Sequence, residues 1–384
     1  MKTNRRLFLL CLCAALLCSA AFAETETVDM LNTENREYVL DSCRLPDGSW
    51  VFAGWQGKGK NTDEIRGRIL LMNPDRTMKE YLDEKIESFS DVVLTKDNTL
   101  AALHEGGVKF LTAAGEPVGD LPLPAEGWLY ELTAFGVLRG QRSDAEHIEY
   151  AELLGWDGSV LFRINEPETM WAGRRRIYDE DGLVLCGQAA GDPATAPAKV
   201  MKIDLQGNTV WETELPRLMD EKIFSEAVAE TKTGDGGYLI VQYDCTAMPE
   251  KGNMQGAVAL TKLDAKGETV SVCGGSMETS LVAEYNGKYV AGDNLYDTEK
   301  EQGYVRYRWY DSEGNDPETT EYYFREEDSP PFVNRENPNW FAEKLVPMAD
   351  GLWQWITFWE TDDPEDEDPA YVCQDNILVR VPEL

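Results

Sequence analysis

Acidic residues recur at one position of a repeating pattern. Aligning the segments on the turn that follows each one places five carboxylates and one arginine in a single column. If the segments line a common channel, the carboxylates would form a ring that binds Ca²⁺, another hard cation or a basic ligand. The alternative is structural, with each acid accepting backbone N–H groups from the loops of its own repeat. The candidate ligand-binding residues are Asp41, Asp91, Glu131, Arg175, Glu226 and Glu343.

A second pattern shows what would position this column. Residues 201–211, MKIDLQGNTVW, return as residues 261–270, TKLDAKGETV, with the shared frame Lys-x-Asp-x-x-Gly-x-Thr-Val. Asp and Gly at this spacing are typical of a tight turn between two strands. Because the turn recurs, Asp204 and Gly207 are interpreted as turn-forming residues and not as a cation site.

Turns of two kinds alternate along the chain. One kind, such as Asp235-Gly236, lies between two apolar strands, and the other resembles the turn at Asp204. Each unit therefore contains four short strands. The strand after the first turn is apolar on both faces, as in residues 183–187, which predicts a sheet packed between other sheets. These units predict an all-β fold, a β-propeller of about seven four-stranded blades.

The two ends of the chain predict how the ring closes. The last unit ends after its third strand, near Asn376–Val381, and residues 24–36 belong to no unit. Thr27–Leu31 are therefore predicted to supply the missing strand of the last blade, which removes two exposed sheet edges. Residues 1–23 combine a basic start, an apolar run and an Ala-Phe-Ala end, which predicts a signal peptide. Residues 24–384 are then a single propeller domain.

The signal peptide, the net charge and the cysteines predict where the protein is located and which classes of partner it binds. A signal peptide predicts a secreted, extracellular protein, or a periplasmic one if the cell has an outer membrane. The formal net charge of −34 disfavours nucleic acid and anionic membranes as partners. We expect no membrane insertion after signal cleavage, and a monomer. Five scattered cysteines beyond the signal, without a C-x-x-C pair, predict small buried residues, although one disulfide remains an alternative.

The repeat resembles that of secreted bacterial β-propeller proteins, which runs roughly Lys-Leu-Asp-x-x-Gly, then Trp, then Asp-Gly-Gly-Tyr. Residues 235–238, DGGY, match it directly, and Trp211 occupies the tryptophan position. The resemblance extends in diluted form over residues 38–384 and is sharpest in the fourth and fifth units. It implies the propeller architecture and, because such families are named for architecture, no particular activity.

Three further features have both a binding and a structural interpretation. The acidic run at residues 360–368 is either a weak calcium site or a solvated loop. The arginines at 174–176 would clamp an anion only if they shared a face, and consecutive strand residues alternate. Several tryptophans either form a sugar-binding platform or pack between blades. These are Trp55, Trp128, Trp171, Trp309 and Trp340.

Signatures of catalysis are sparse. His104 and His147 are the only histidines, and no G-x-S-x-G motif is present. The expected function is a non-catalytic extracellular module that binds or scaffolds a protein or carbohydrate, without a cofactor unless Ca²⁺ occupies the carboxylate ring. One alternative is a carbohydrate-active hydrolase that uses two inner-strand carboxylates. Another is a structural or sensor propeller without a small ligand.

Overall fold

A computed structural model describes most of the chain beyond the predicted signal peptide. Every regular element in it is a β-strand. The described residues contain no helix that is long and apolar enough to cross a bilayer. The described ranges are 27–31, 37–58, 61–83, 85–124, 128–142, 148–165, 177–179, 181–189, 191–192, 194–220, 222, 224–247, 255–275, 279–315, 317–324, 339–361 and 371–383.

The strands form seven four-stranded antiparallel sheets, which are the blades of a propeller. β1 (Thr27–Asp29) belongs to blade 7. Blade 1 is β2 (Glu37–Arg44), β3 (Trp50–Lys58), β4 (Asn61–Met72) and β5 (Met78–Asp83). Blade 2 is β6 (Asp91–Leu94), β7 (Thr99–His104), β8 (Gly107–Thr112) and β9 (Pro117–Pro122). Blade 3 is β10 (Trp128–Thr133), β11 (Gly136–Arg142), β12 (Ile148–Gly155) and β13 (Val160–Asn165).

The remaining blades repeat this order, so the prediction of seven blades is confirmed. Blade 4 is β14 (Ile177–Asp179), β15 (Gly182–Gln188), β16 (Ala198–Asp204) and β17 (Thr209–Glu214). Blade 5 is β18 (Phe224–Lys232), β19 (Tyr238–Ala247), β20 (Gln255–Leu263) and β21 (Thr269–Gly274). Blade 6 is β22 (Thr279–Tyr285), β23 (Lys288–Asp297), β24 (Gln302–Tyr310) and β25 (Glu318–Tyr323). Blade 7 adds β26 (Asn339–Met348), β27 (Gly351–Thr361) and β28 (Tyr371–Arg380).

The core lies between the blades, because each sheet buries both faces. The second strands are almost completely buried, as the apolar runs predicted; Leu183, Val184 and Leu185 on β15 are examples. First strands of successive blades contact one another around the centre of the ring. Cys43, Cys186, Cys245 and Cys273 form no disulfide with one another, and the last three are buried, in line with their interpretation as small packed residues.

The repeated turn is held by its own aspartate. Asp204 Oδ1 accepts the backbone N–H groups of Gln206 (2.9 Å) and Asn208 (2.8 Å). Asp264 Oδ1 accepts those of Lys266 and Glu268, both at 2.8 Å. The same geometry at both copies supports a turn-forming role for these aspartates.

The other residues of the frame connect turns and blades. Lys262 is 2% exposed, and its Nζ lies 2.6 Å from Asp235 Oδ1. The lysine that precedes the Asp264 turn therefore forms an ion pair with the aspartate of the Asp235-Gly236 turn in the same blade. Trp211 packs against Tyr238 of the next blade, with ring centroids 5.7 Å apart. A Cβ on Gly267 would overlap the Trp211 ring. The glycine is therefore required both by its φ of +81° and by the indole of the preceding blade.

The ring closes as predicted, through β1. Thr27, Val28 and Asp29 pair with Val379, Leu378 and Ile377 of β28. Arg68 of blade 1, only 2% exposed, donates from Nη2 to the carbonyls of Met30 (3.1 Å) and Leu31 (2.7 Å), directly after the closing strand. Blade 7 thus combines β1 with β26, β27 and β28, and hydrogen bonds from Arg68 connect it to blade 1.

Asn376 of β28 adds a second fastening at the same seam. It is completely buried, and its Oδ1 accepts from Trp355 Nε1 at 2.9 Å and Thr357 Oγ1 at 3.0 Å. Its Nδ2 donates to the Glu37 carbonyl of β2 at 3.3 Å. One amide therefore joins two strands of blade 7 to the inner strand of blade 1.

Candidate functional site

The two ends of the propeller differ in their connections. Because the strands within a blade are antiparallel, the short Asp-Gly turns lie at one end. The connections between second and third strands, and those between blades, lie at the other. In sequence, the connections at this long-connection end are longer and more varied, as at residues 189–197 and 215–223. Variation among repeats places a candidate site here.

The structure brings Asp41, Asp91 and Glu131 onto the inner strands of three successive blades. Asp41 Oδ2 accepts the backbone N–H of Val92 at 3.1 Å, and Val92 follows Asp91. Asp91 Oδ2 accepts the N–H of Leu132 at 2.7 Å, and Leu132 follows Glu131. The sequence-based structural alternative placed these bonds within one blade, which is wrong. Asp41 and Asp91 instead bond their inner strand to that of the next blade.

The other members of the column do not all share this position. Glu226 pairs with Tyr243, further from its turn than the partners of Asp41 and Asp91, because it lies nine residues before Asp235, whereas Asp41 and Asp91 lie six residues before Asp47 and Asp97. Glu343 lies at a bulge in β26, between Ala342 and Lys344. Arg175 lies outside the described residues. The single column predicted from the sequence is therefore only partly formed.

Lys344 contributes a contact at the seam between blades 7 and 1. Its Nζ donates to the Ser42 carbonyl at 3.0 Å and lies 3.7 Å from Asp41 Oδ1. Within the described ranges, no group of three or more His, Cys, Asp or Glu side chains is arranged to hold a metal ion. Calcium binding by this column stays a prediction, with Asp91 as its test position.

A different group of side chains gathers at the long-connection end of blade 6. The rings of Tyr304 and Tyr323, on β24 and β25, are stacked with centroids 4.9 Å apart and an interplanar angle of 14°. Arg306 Nη2 donates to the Tyr304 hydroxyl at 2.9 Å and lies 3.2 Å from Glu321 Oε1. Lys300 Nζ lies 3.6 Å from the Tyr323 ring centroid. Each ring of the pair therefore covers one face of the other, Lys300 lies over the Tyr323 ring, and Arg306 and Glu321 lie at the edge of the pair.

The opposite face of the same blade end carries two more aromatic residues. Tyr296 is 63% exposed and pairs across the sheet with Gly303. Trp340, half-buried on β26 of blade 7, lies over Gly303, where an added Cβ would come within 3.2 Å of its Cζ2 atom. We call Tyr296, Tyr304, Tyr323 and Trp340 the blade-6 aromatic patch; Tyr304 and Tyr323 lie on one face of the sheet, and Tyr296 and Trp340 lie on the other.

The charges of this patch are internally balanced. The pKa of Lys300 is raised because its ammonium contacts the Tyr323 hydroxyl and the Asp297 carboxylate. Burial lowers the pKa of Arg306, but its contacts with Glu321 and Tyr304 outweigh burial and raise it. Both cations stay charged and paired, so the patch offers the exposed Tyr296, the partly exposed tyrosine pair and fixed hydrogen-bonding groups with little net charge. Such a surface suits a neutral polyhydroxyl ligand better than an ion.

The other predicted features are placed as follows. Trp309 is buried, and its Nε1 donates to Thr320 Oγ1 at 3.0 Å, so it is a packing residue. Trp55 is half-buried against Tyr38. Trp128 begins β10. The arginines at 174–176, Trp171 and most of the acidic run at residues 360–368 lie outside the described residues.

Sequence reasoning missed three of the four patch residues. Only Trp340 was a candidate, because tryptophans were considered and tyrosines were not. A signal was present in β24 and β25, where GYVRYRWY and ETTEYY alternate aromatic and polar residues at positions that an outer hairpin would expose. Pairing of the two strands was needed to bring Tyr304 opposite Tyr323.

Comparison with known proteins supports the fold. No protein-family model and no curated protein matches the sequence. Among solved structures, the chain is similar to polysaccharide lyase Uly1 (TM-score 0.50, 10% identity, covering 88% of both chains). It is also similar to the β-propeller domain of the Trilobed protease from Pyrococcus furiosus (TM-score 0.46, 13% identity, covering 88% of this chain and 95% of that one). At these identities the likeness extends to the architecture alone: the chain is a seven-bladed β-propeller.

Proposed function

We propose that the protein is a secreted, non-catalytic binding module whose ligand is a carbohydrate, bound at the blade-6 aromatic patch. The observation that carries the proposal is the stacked pair of Tyr304 and Tyr323, with Arg306 and Glu321 fixed at its edge. Sugar rings present C–H faces to aromatic rings and hydroxyl groups to charged or amide edges, so both kinds of group are needed together.

One further fact supports binding without catalysis. Asp41 and Asp91 each use a carboxylate oxygen to bond the next blade, so these acids have a structural task. In the patch, Asp297 Oδ2 and Glu321 Oε2 each lie 3.3 Å from the Tyr323 hydroxyl, and each of these carboxylates also contacts a cation. A protein ligand is the other class that fits an exposed aromatic surface, and the same experiment separates the two.

The test is a binding screen of residues 24–384 against a glycan array and a panel of secreted proteins, with and without calcium. A glycan hit is then measured by titration calorimetry for Tyr304→Ala and Tyr323→Ala. Loss of a central aromatic contact lowers affinity by about tenfold or more. We expect that loss for both variants, because removing either ring ends the stack.

Tyr150→Ala is the matched control. Tyr150 lies at the long-connection end of blade 3 with an arginine over its ring, Arg163 Cζ being 3.8 Å from the centroid. Unchanged glycan affinity in Tyr304→Ala and Tyr323→Ala, or an equal loss in Tyr150→Ala, would contradict the assignment of the patch. Turnover of the bound glycan by the wild-type protein, lost in Asp91→Asn, would favour the hydrolase alternative.

A further inference from the structure

The outermost strands of the seven blades differ in how they are protected. An outermost strand leaves backbone N–H and C=O groups unpaired, and charged residues or prolines normally prevent other chains from pairing there. The outermost strands are β1, β5, β9, β13, β17, β21 and β25. Six of them contain at least one Asp, Glu, Lys or Arg. β21, Thr269–Gly274, contains neither a charged residue nor a proline.

β21 is also exposed and rich in β-branched residues. Val270 is 55% exposed and Val272 is 43% exposed, and the two lie on the same face of the strand. The Gly274 carbonyl already accepts from Arg308 Nη1 (2.9 Å) and the Tyr310 hydroxyl (3.1 Å). The stretch open to a further strand is therefore Thr269–Cys273.

We propose that β21 is a strand-addition site for an extended segment of a partner protein, with β-branched side chains facing Val270 and Val272 and basic residues flanking them. Backbone hydrogen bonds supply affinity in such pairing, and cross-strand side-chain contacts supply selectivity. This site lies on the outer edge of blade 5 and is independent of the blade-6 aromatic patch.

Charge determines which occupant fits. The chain carries a formal net charge of −34, and the exposed Glu268 immediately precedes β21. A second copy would bring the same negative charge and touch only a strip one strand wide, far below the roughly 1,200 Å² that a stable interface buries. A segment with a neutral centre and basic ends gains from the surrounding field and meets no charge along the strand itself.

The test uses a labelled synthetic peptide, KKTVSVTKK, and residues 24–384. We expect saturable binding by fluorescence anisotropy, with slower amide hydrogen exchange at residues 269–273. A version of the peptide methylated on alternate backbone nitrogens cannot donate along one edge, so we expect it not to bind. Val270→Lys places a charge on the edge and should weaken binding at least tenfold.

Val210→Lys is the matched control. Val210 occupies the same position of the repeat frame on β17 and is 54% exposed. The Val210→Lys substitution therefore adds the same charge, but to a strand that already carries Glu212 and Glu214. We expect Val210→Lys to bind the peptide like the wild type. The proposal is overturned by an absence of saturable binding at millimolar peptide, by equal binding of the methylated peptide, or by equal weakening in both variants. Dimerisation of the wild type in sedimentation, abolished by Val270→Lys, would also overturn it and assign the edge to a second copy.

Discussion

Replacing Asn376 by leucine should weaken the propeller more than any exposed substitution. Leucine fills a similar volume but accepts and donates no hydrogen bond. Trp355 Nε1 and Thr357 Oγ1 would lose their acceptor, and both side chains are almost completely buried. The Glu37 carbonyl would lose its donor from the last blade. A buried polar group without a partner costs about 1–3 kcal/mol, so the combined loss is about 3–5 kcal/mol.

That loss is large against a typical folding free energy of about 5–15 kcal/mol. Equilibrium unfolding in urea, followed by tryptophan fluorescence and circular dichroism, would measure it. Thr357→Val removes one donor and leaves the amide in place, so we expect about 1 kcal/mol. Asn208→Ala removes an amide from an exposed turn and should stay within about 0.5 kcal/mol of the wild type. A free energy of unfolding for Asn376→Leu within about 1 kcal/mol of the wild type would refute the role of this amide at the seam.

Three further predictions test the turns and the acidic column. Hydrogen bonds from Lys262 and Thr233 outweigh burial and hold the pKa of Asp235 at about 2, against an ordinary 3.8. Ionised Asp235 therefore stabilises the fold above about pH 4, and this stabilisation is lost as pH falls towards 2. In Lys262→Met, the melting temperature should fall less between pH 4 and pH 2 than it does in the wild type. Gly267→Ala should lower the melting temperature more than Gly287→Ala does. Both glycines have a positive φ, but only a Cβ at residue 267 would meet a neighbouring side chain. Equal decreases in melting temperature would exclude a role for the inter-blade contact. Asp91→Asn should leave calorimetric calcium titrations unchanged if the column is structural, and a calcium signal lost in this variant would establish a ligand ring.

The architecture was predictable because its signals are local. Aspartate and glycine recur at turn spacing, and a turn depends on residues that are near in sequence. The closing strand was predictable for a different reason. The last unit lacked one strand, and Thr27–Leu31 were the unassigned residues with strand character, so the topology followed from what was missing. The structure pairs Thr27–Asp29 with β28 accordingly.

The site was harder because it depends on register and on contacts between blades. Glu226 was aligned with Asp91, but it lies nine residues before Asp235, whereas Asp91 lies six before Asp97, and the one-residue bulge in β18 does not make up that difference. The partners of Asp41 and Asp91 lie in the next blade, which a single repeat cannot reveal. The blade-6 aromatic patch likewise joins strands whose pairing must be known first.

The closing strand also determines when the fold can be completed. Thr27–Asp29 pair with residues 377–379, which are synthesised much later than they are. Six blades can form from neighbouring segments, but the seventh waits until the two ends of the chain meet, and closing so long a loop is slow. Until then the Arg68 guanidinium lacks the carbonyls of Met30 and Leu31 in their final place. An incomplete chain is therefore an open ring, whichever end is missing.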